Sequence, residues 1–205
     1  MDLYFAPLSC SLATRISLYE AGLPANFHQV ELATKRVTDG RNYLDVNAKG
    51  QVPALITDDG QTLTEGPAIL QYVADLAPHS HLAPPAGTLA RYRLQQWLNY
   101  IATEIHKGVF YLLFNPAAPD AAKAFARDLV RTRYDFLSAH LQDRDFLLDG
   151  FTIADAYLVT TLGWAAPGGI DLAPWPQLGR YAAGLRARPA VARALGEELA
   201  LAGRA

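Results

Sequence analysis

Cysteine is nearly absent: one occurs in 205 residues, at position 10. That excludes an internal disulfide and a metal site built on several thiolates, and no metal is expected. An excess of charge of one sign is lacking too. The chain carries 18 Lys and Arg against 20 Asp and Glu, a formal net charge of −2, so composition gives no support to a nucleic-acid partner. No uninterrupted apolar run could span a bilayer, and residues 1–9 lack the basic start and apolar stretch of a secretion signal. The expected setting is the cytoplasm, with no membrane partner. Charged residues make up only 19% of the chain and hydrophobic ones 51%, which argues against disorder and for a well-filled core.

What is present divides in two. Residues 2–5 read as a strand, 12–23 follow helical spacing through Leu12, Ile16, Tyr19 and Leu23, and 26–32 alternate as a second strand. That order predicts a parallel pair with a right-handed crossover. Residues 33–50 are more polar, with a short irregular helix around 43–46. Residues 52–57 and 61–64 flank Asp58-Asp59-Gly60, a hairpin signal, and a helix follows from Gly66. Residues 79–88 have the Pro-rich, aperiodic composition of a linker. Beyond it only helical patterns occur, over 88–114, 119–142, 153–166, 176–187 and 189–201. The division is therefore residues 1–78, a linker at 79–88, and an all-helical domain at 89–205. Charge follows it: residues 1–78 carry 5 Lys and Arg against 9 Asp and Glu, the remainder 13 against 11.

Cys10 lies where the first strand gives way to the first helix. A lone cysteine is by default a small buried hydrophobe. At a helix start, free N–H groups and the helix dipole can instead favour a thiolate. Thr152 and Asp155 stand at capping-box spacing before an apolar run, and that local role accounts for both without making Asp155 a catalytic acid. On the long helix after the linker, Asn99, Thr103, His106 and Lys107 share a face at about 100° per residue. Glu104 points away from Asn99, towards a different partner. His106, titrating near neutrality in its ordinary state, is a candidate hydrogen-bond partner or acid/base group.

Several segments together resemble the cytosolic glutathione S-transferases, most closely the bacterial beta class. They are Ser9-Cys10-Ser11, Asn47-Ala48-Lys49-Gly50-Gln51-Val52-Pro53, Leu63-Thr64-Glu65-Gly66-Pro67-Ala68-Ile69, Trp97-Leu98-Asn99, Glu104-Ile105-His106-Lys107-Gly108 and Phe151-Thr152-Ile153-Ala154-Asp155-Ala156-Tyr157. The resemblance implies an α/β thioredoxin-like N-terminal domain that binds glutathione, plus an all-α C-terminal domain that forms an electrophile pocket. It implies glutathione as co-substrate, a small hydrophobic electrophile as second substrate, and a homodimer.

Site residues follow from the same resemblance. Cys10 and His106 are catalytic. Pro53 is cis, and Val52 pairs its backbone with the cysteinyl part of glutathione. Glu65 and Gly66 hold the γ-glutamyl end, where free amides of the helix start can take a carboxylate. Lys35 meets the glycyl carboxylate, although as a bare residue it reads as a solvated surface lysine. Asn99, Glu104 and Lys107 complete the set, Asn99 or Glu104 reaching the neighbouring subunit's glutathione. Leu8, Phe110, Tyr111, Phe114 and Trp164 are expected to line the electrophile pocket. The leading expectation is conjugation of glutathione to small electrophiles. Glutathione-dependent disulfide reduction, dehalogenation and a non-catalytic binding module remain alternatives.

Overall fold

Five short strands, all within the first third of the chain, build one sheet. In the computed structural model, which describes residues 1–203, they are β1 (Asp2–Phe5), β2 (Asn26–Glu31), β3 (Arg36–Val37), β4 (Ala54–Ile56) and β5 (Thr62–Thr64). The sheet order is β3-β2-β1-β4-β5. β1 and β2 are parallel, with Asp2 opposite Asn26 and Phe5 opposite Gln29, and the other pairings are antiparallel. The parallel pair is joined through α1 (Ser11–Glu20), and α2 (Gly66–Leu76) follows β5. The β4–β5 hairpin closes through Asp58-Asp59-Gly60, where Gly60 takes φ of 81°, a conformation that glycine adopts without a side-chain penalty. Leu3, Ile16, Leu55 and Ile69 are fully buried at the centre of this unit, each contributing about 1.5–3 kcal/mol of apolar burial.

The thioredoxin-like arrangement expected for the first part is present, with two local differences. β3 is a two-residue strand that pairs Val37 with Val30, too short to leave an alternation in the sequence. The irregular helix around 43–46 is a single 3₁₀ turn, Tyr43–Asp45, started by Asn42, whose side chain accepts from the Leu44 amide.

The remaining elements are helical: a 3₁₀ turn (Pro78–Ser80), α3 (Leu89–Tyr100), a π-helical segment (Ile101–Phe110), α4 (Tyr111–Phe114), α5 (Asp120–His140), α6 (Ile153–Leu162), α7 (Pro176–Arg186) and α8 (Pro189–Ala202). The helix expected over 88–114 is thus interrupted in its middle by wider π turns. Every residue of α6 is buried, and the carboxylate of Asp155 holds its start. It accepts from the amides of Leu147 and Thr152 at 2.8 Å each, from the Thr152 hydroxyl at 2.9 Å and from the Tyr181 hydroxyl at 2.7 Å. Burial pushes the Asp155 carboxyl up, and these four donors pull the other way.

Contacts divide the chain into two units, one of Met1–Ala83 with the stretch from Pro189 onward, the other of Pro84–Arg188. This differs from the division by composition, which left 189–201 with the helical half. α8 packs on α1, and the reason is chemical. Arg15 of α1 is buried between the rings of Phe5 and Phe27, 4.2 and 4.1 Å from their centroids. Its charge is met by Glu197 at 2.9 Å and Glu198 at 3.1 Å, both on α8. A buried guanidinium without these carboxylates would be strongly unfavourable.

Candidate functional site

Cys10 stands at the N-cap of α1, half-buried; its own side chain does not cap that helix start, and the Ser11 amide donates to the Ser9 hydroxyl at 3.3 Å. Its Sγ donates to the carbonyl oxygen of Val52 at 3.1 Å. The Val52-Pro53 peptide bond is cis. The turn that carries the thiol is fixed from both sides. Ser11, fully buried, donates to the Ala6 carbonyl and accepts from the Ala6 amide, both at 3.2 Å, and pairs its hydroxyl with that of Ser9 at 2.8 Å. Leu8 takes φ of 60°, a costly conformation for a residue with a Cβ. Its amide is held by the Glu198 carboxylate at 2.6 Å. Burial pushes the Glu198 carboxyl up to about 7, against the opposing pull of the Leu8 amide and Arg15.

The other candidates of this unit fall into two groups. Lys35, at φ of 56°, donates from Nζ to the carbonyl of Gly50 at 2.9 Å, two residues before Val52. Tyr43 braces the same stretch, its hydroxyl donating to the Gln51 carbonyl at 2.7 Å. Lys35, Val52, Pro53 and Cys10 therefore belong to one connected neighbourhood. Glu65 lies beyond β5 at φ of 70° and precedes α2 without capping it by its side chain. Its carboxylate pairs with Lys49 at 2.5 Å, and Lys49 also donates to the Thr64 hydroxyl at 2.8 Å. The start of α2 offers fewer donors than expected. Pro67 has no N–H, and the amides of Ala68 and Ile69 both donate to the Glu65 carbonyl. The Gly66 amide is what remains of the first turn for a ligand.

In the helical unit, His106 and Lys107 sit within the π segment, where the Tyr111 amide reaches back to the His106 carbonyl. Gly108 permits this winding: a Cβ there would lie 2.8 Å from the Thr103 carbonyl oxygen. His106 Nδ1 is 2.7 Å from the Tyr157 hydroxyl of α6, and the Trp164 ring meets the imidazole at 5.0 Å between centroids. Trp164 also packs edge-on against Phe110 and Phe114, at 5.5 and 6.3 Å. Burial first, and Lys107 second, push the His106 pKa down to about 4. The imidazole is therefore neutral at physiological pH, which corrects the expectation of a group titrating near neutrality.

The polar face of that helix is partly spent on its own backbone. Asn99 donates to the Gln95 carbonyl at 2.9 Å, and Thr103 to the Asn99 carbonyl at 3.0 Å. Glu104 receives Arg133 of α5 at 2.7 Å. Lys107 is exposed, its Nζ 4.8 Å from the centre of the Tyr111 ring. Sequence reasoning missed Leu8, Lys49, Tyr157 and Glu198 as supports of these groups. Leu8 left no signal, since leucine is an unusual choice at positive φ. Tyr157 lay within a recognised segment, with nothing to mark its hydroxyl. Among the described residues no group of three or more His, Cys, Asp or Glu is placed to hold a metal ion, and no helix is long and apolar enough to cross a membrane.

Residues 9–76 match the glutathione S-transferase N-terminal domain family, and residues 101–189 the C-terminal domain family. The chain is 42% identical to glutathione S-transferase GstA of Escherichia coli O157:H7, over 97% of this chain and 98% of that one. A sphingomonad glutathione S-transferase solved in complex with glutathione is 46% identical, with a TM-score of 0.93 over 97% of this chain and 98% of the other. The bacterial beta-class enzyme of Sphingomonas chungbukensis is 44% identical with the same TM-score and the same coverage of both chains. The chain thus belongs to the glutathione S-transferase family, close to its bacterial beta class.

Proposed function

We propose that the protein conjugates glutathione to small hydrophobic electrophiles, with Cys10 beside the glutathione sulfur. The observation that carries this reading is the 3.1 Å contact between Cys10 Sγ and the Val52 carbonyl. A peptide thiol whose cysteinyl backbone pairs with Val52 would bring its own sulfur to the turn where Cys10 sits. The surrounding groups suit the rest of such a ligand. Lys35 can meet a glycyl carboxylate, while Gly66 and Glu65 can receive a carboxylate and an ammonium at the γ-glutamyl end. Engaging that ammonium would draw Glu65 from Lys49. His106 and Lys107 are assigned to the reacting sulfur, and the Phe114 and Trp164 rings to the electrophile; Phe110, expected to line the pocket, is fully buried behind them. Asn99 or Glu104 is assigned to glutathione held by the second subunit of a homodimer in the cytoplasm.

The test compares wild type with Cys10→Ala in two assays, conjugation to an aromatic halide and glutathione-dependent disulfide reduction. Conjugation lost in the variant supports the reading. Conjugation retained with reduction lost would reassign Cys10 to thiol–disulfide exchange. The partly exposed thiol favours that as the second reading. Its thiolate would displace one thiol of a substrate disulfide and stay joined to the other half. One glutathione thiolate would release that second thiol, leaving Cys10 joined to glutathione, and a second glutathione would free Cys10 and depart as glutathione disulfide.

A further inference from the structure

We infer that Tyr157 is the positioning residue of His106. Its hydroxyl donates to Nδ1, which leaves the imidazole proton on Nε2 and makes that nitrogen a hydrogen-bond donor.

The two groups are 2.7 Å apart, and a neutral imidazole has one nitrogen that donates and one that accepts. A pyridine-type nitrogen is a much stronger acceptor than a phenol oxygen, and a phenol is a good donor, so O–H···N is the stronger of the two arrangements. The separation agrees, since N–H···O bonds centre at about 2.9–3.0 Å and hydroxyl donors come closer. Both rings are held. Tyr157 is 3% exposed on the fully buried α6, whose first turn is fastened through Asp155. The imidazole stands at 89° to the Tyr157 ring and at 65° to the Trp164 ring. The neutral state of His106, enforced by its burial, makes the tautomer the remaining variable.

The consequence, which rests on the proposed role of His106, concerns its chemistry. A neutral donor at Nε2 would stabilise negative charge on glutathione sulfur or on a departing group. It would not act as a base towards the thiol. Tyr157 serves the reaction only through His106, without touching substrate.

Histidine labelled with nitrogen-15 tests this, with the His106 signals assigned by their loss in His106→Ala. Wild type should show a protonated Nε2 and an unprotonated Nδ1. In Tyr157→Phe the Nδ1 signal should shift towards a mixture of tautomers. There kcat should fall roughly tenfold, below the full effect of losing one donor, with the KM for glutathione within about twofold. A wild-type tautomer with the proton on Nδ1 overturns the inference. So does a Tyr157→Phe spectrum and kcat identical to wild type. Unchanged rates in His106→Ala overturn instead the catalytic reading of His106, whatever the tautomer, so the two failures are separable.

Discussion

The starts of α1 and α6 solve the same problem in opposite ways. Both follow a turn and both leave first-turn amides to be satisfied. At α6, Asp155 reaches back to Thr152 and gathers four donors, all buried. At α1, Cys10 caps nothing by its side chain, and the conformation before it includes Leu8 at φ of 60°. At the start of α2 the N-cap side chain likewise caps nothing, and that residue, Glu65, sits at φ of 70°. A helix start completed by its own residues is architecture. At α1 the amides of Ser11, Leu12 and Ala13 are already taken by Ser9 and Cys10, whereas at α2 the Gly66 amide, beside strained backbone at Glu65, is where a ligand can finish the structure.

That contrast can be broken by measuring stability and activity on the same variants. The largest stability effect is expected at the closed start. Asp155→Ala strands buried donors and should cost about 2–4 kcal/mol in urea unfolding, each stranded group costing about 1–3 kcal/mol before relaxation. A loss below about 1 kcal/mol would mean the box is dispensable. Next comes acid. Because the folded-state pKa of His106 is depressed to about 4 from 6.5, its contribution is fully present above pH 6.5 and lost as pH falls from 6.5 to 4. The expected loss is up to about 3 kcal/mol. Glu198 has the opposite sign. Its folded pKa is raised to about 7 from 4.5, so the unit containing α1 gains stability as pH falls through that window. Calorimetry from pH 7 to 4 should show the helical unit weakening first, and His106→Phe should flatten its pH dependence. A uniform loss in both units would refute the assignment.

Gly108→Ala places a methyl against the Thr103 carbonyl and should cost about 1–3 kcal/mol. Conjugation should fall further than stability alone explains, because His106 and Lys107 share that winding. The smallest stability effect belongs to the start of α1. Cys10→Ala should change unfolding by no more than about 0.5 kcal/mol while removing the proposed chemistry. A large drop in melting temperature for that variant would make the thiol a core group after all.

These contrasts also mark where the sequence was readable. Local chemistry was legible: the Asp58-Asp59-Gly60 hairpin, the Thr152–Asp155 box and the apolar stripes of the long helices each announce themselves within a few residues. The glutathione-site residues were legible only through family resemblance, since nothing about Lys35 or Val52 alone points to a ligand. The supports escaped notice because they act across the chain. Glu198 reaches Leu8 over 190 residues, and Tyr157 meets His106 over 51. The π segment did leave a trace. Its buried residues are Ile101, Ile105, Val109 and Phe110, and the first three recur every fourth residue without the three-residue steps that an α-helix interleaves.

Those wider turns also bear on how the chain tolerates changes in length. A π segment is a helix carrying surplus residues, so Ile101–Phe110 holds slack that α5 lacks. Deleting one residue from α5 would rotate everything beyond the cut by about 100° and misdirect a whole buried face. One residue taken from the π segment can be absorbed by tightening towards ordinary helix, with α3 and α4 keeping their places. The helix would then survive an edit that moves His106 off Tyr157, so the stretch most forgiving to the fold is the least forgiving to the chemistry.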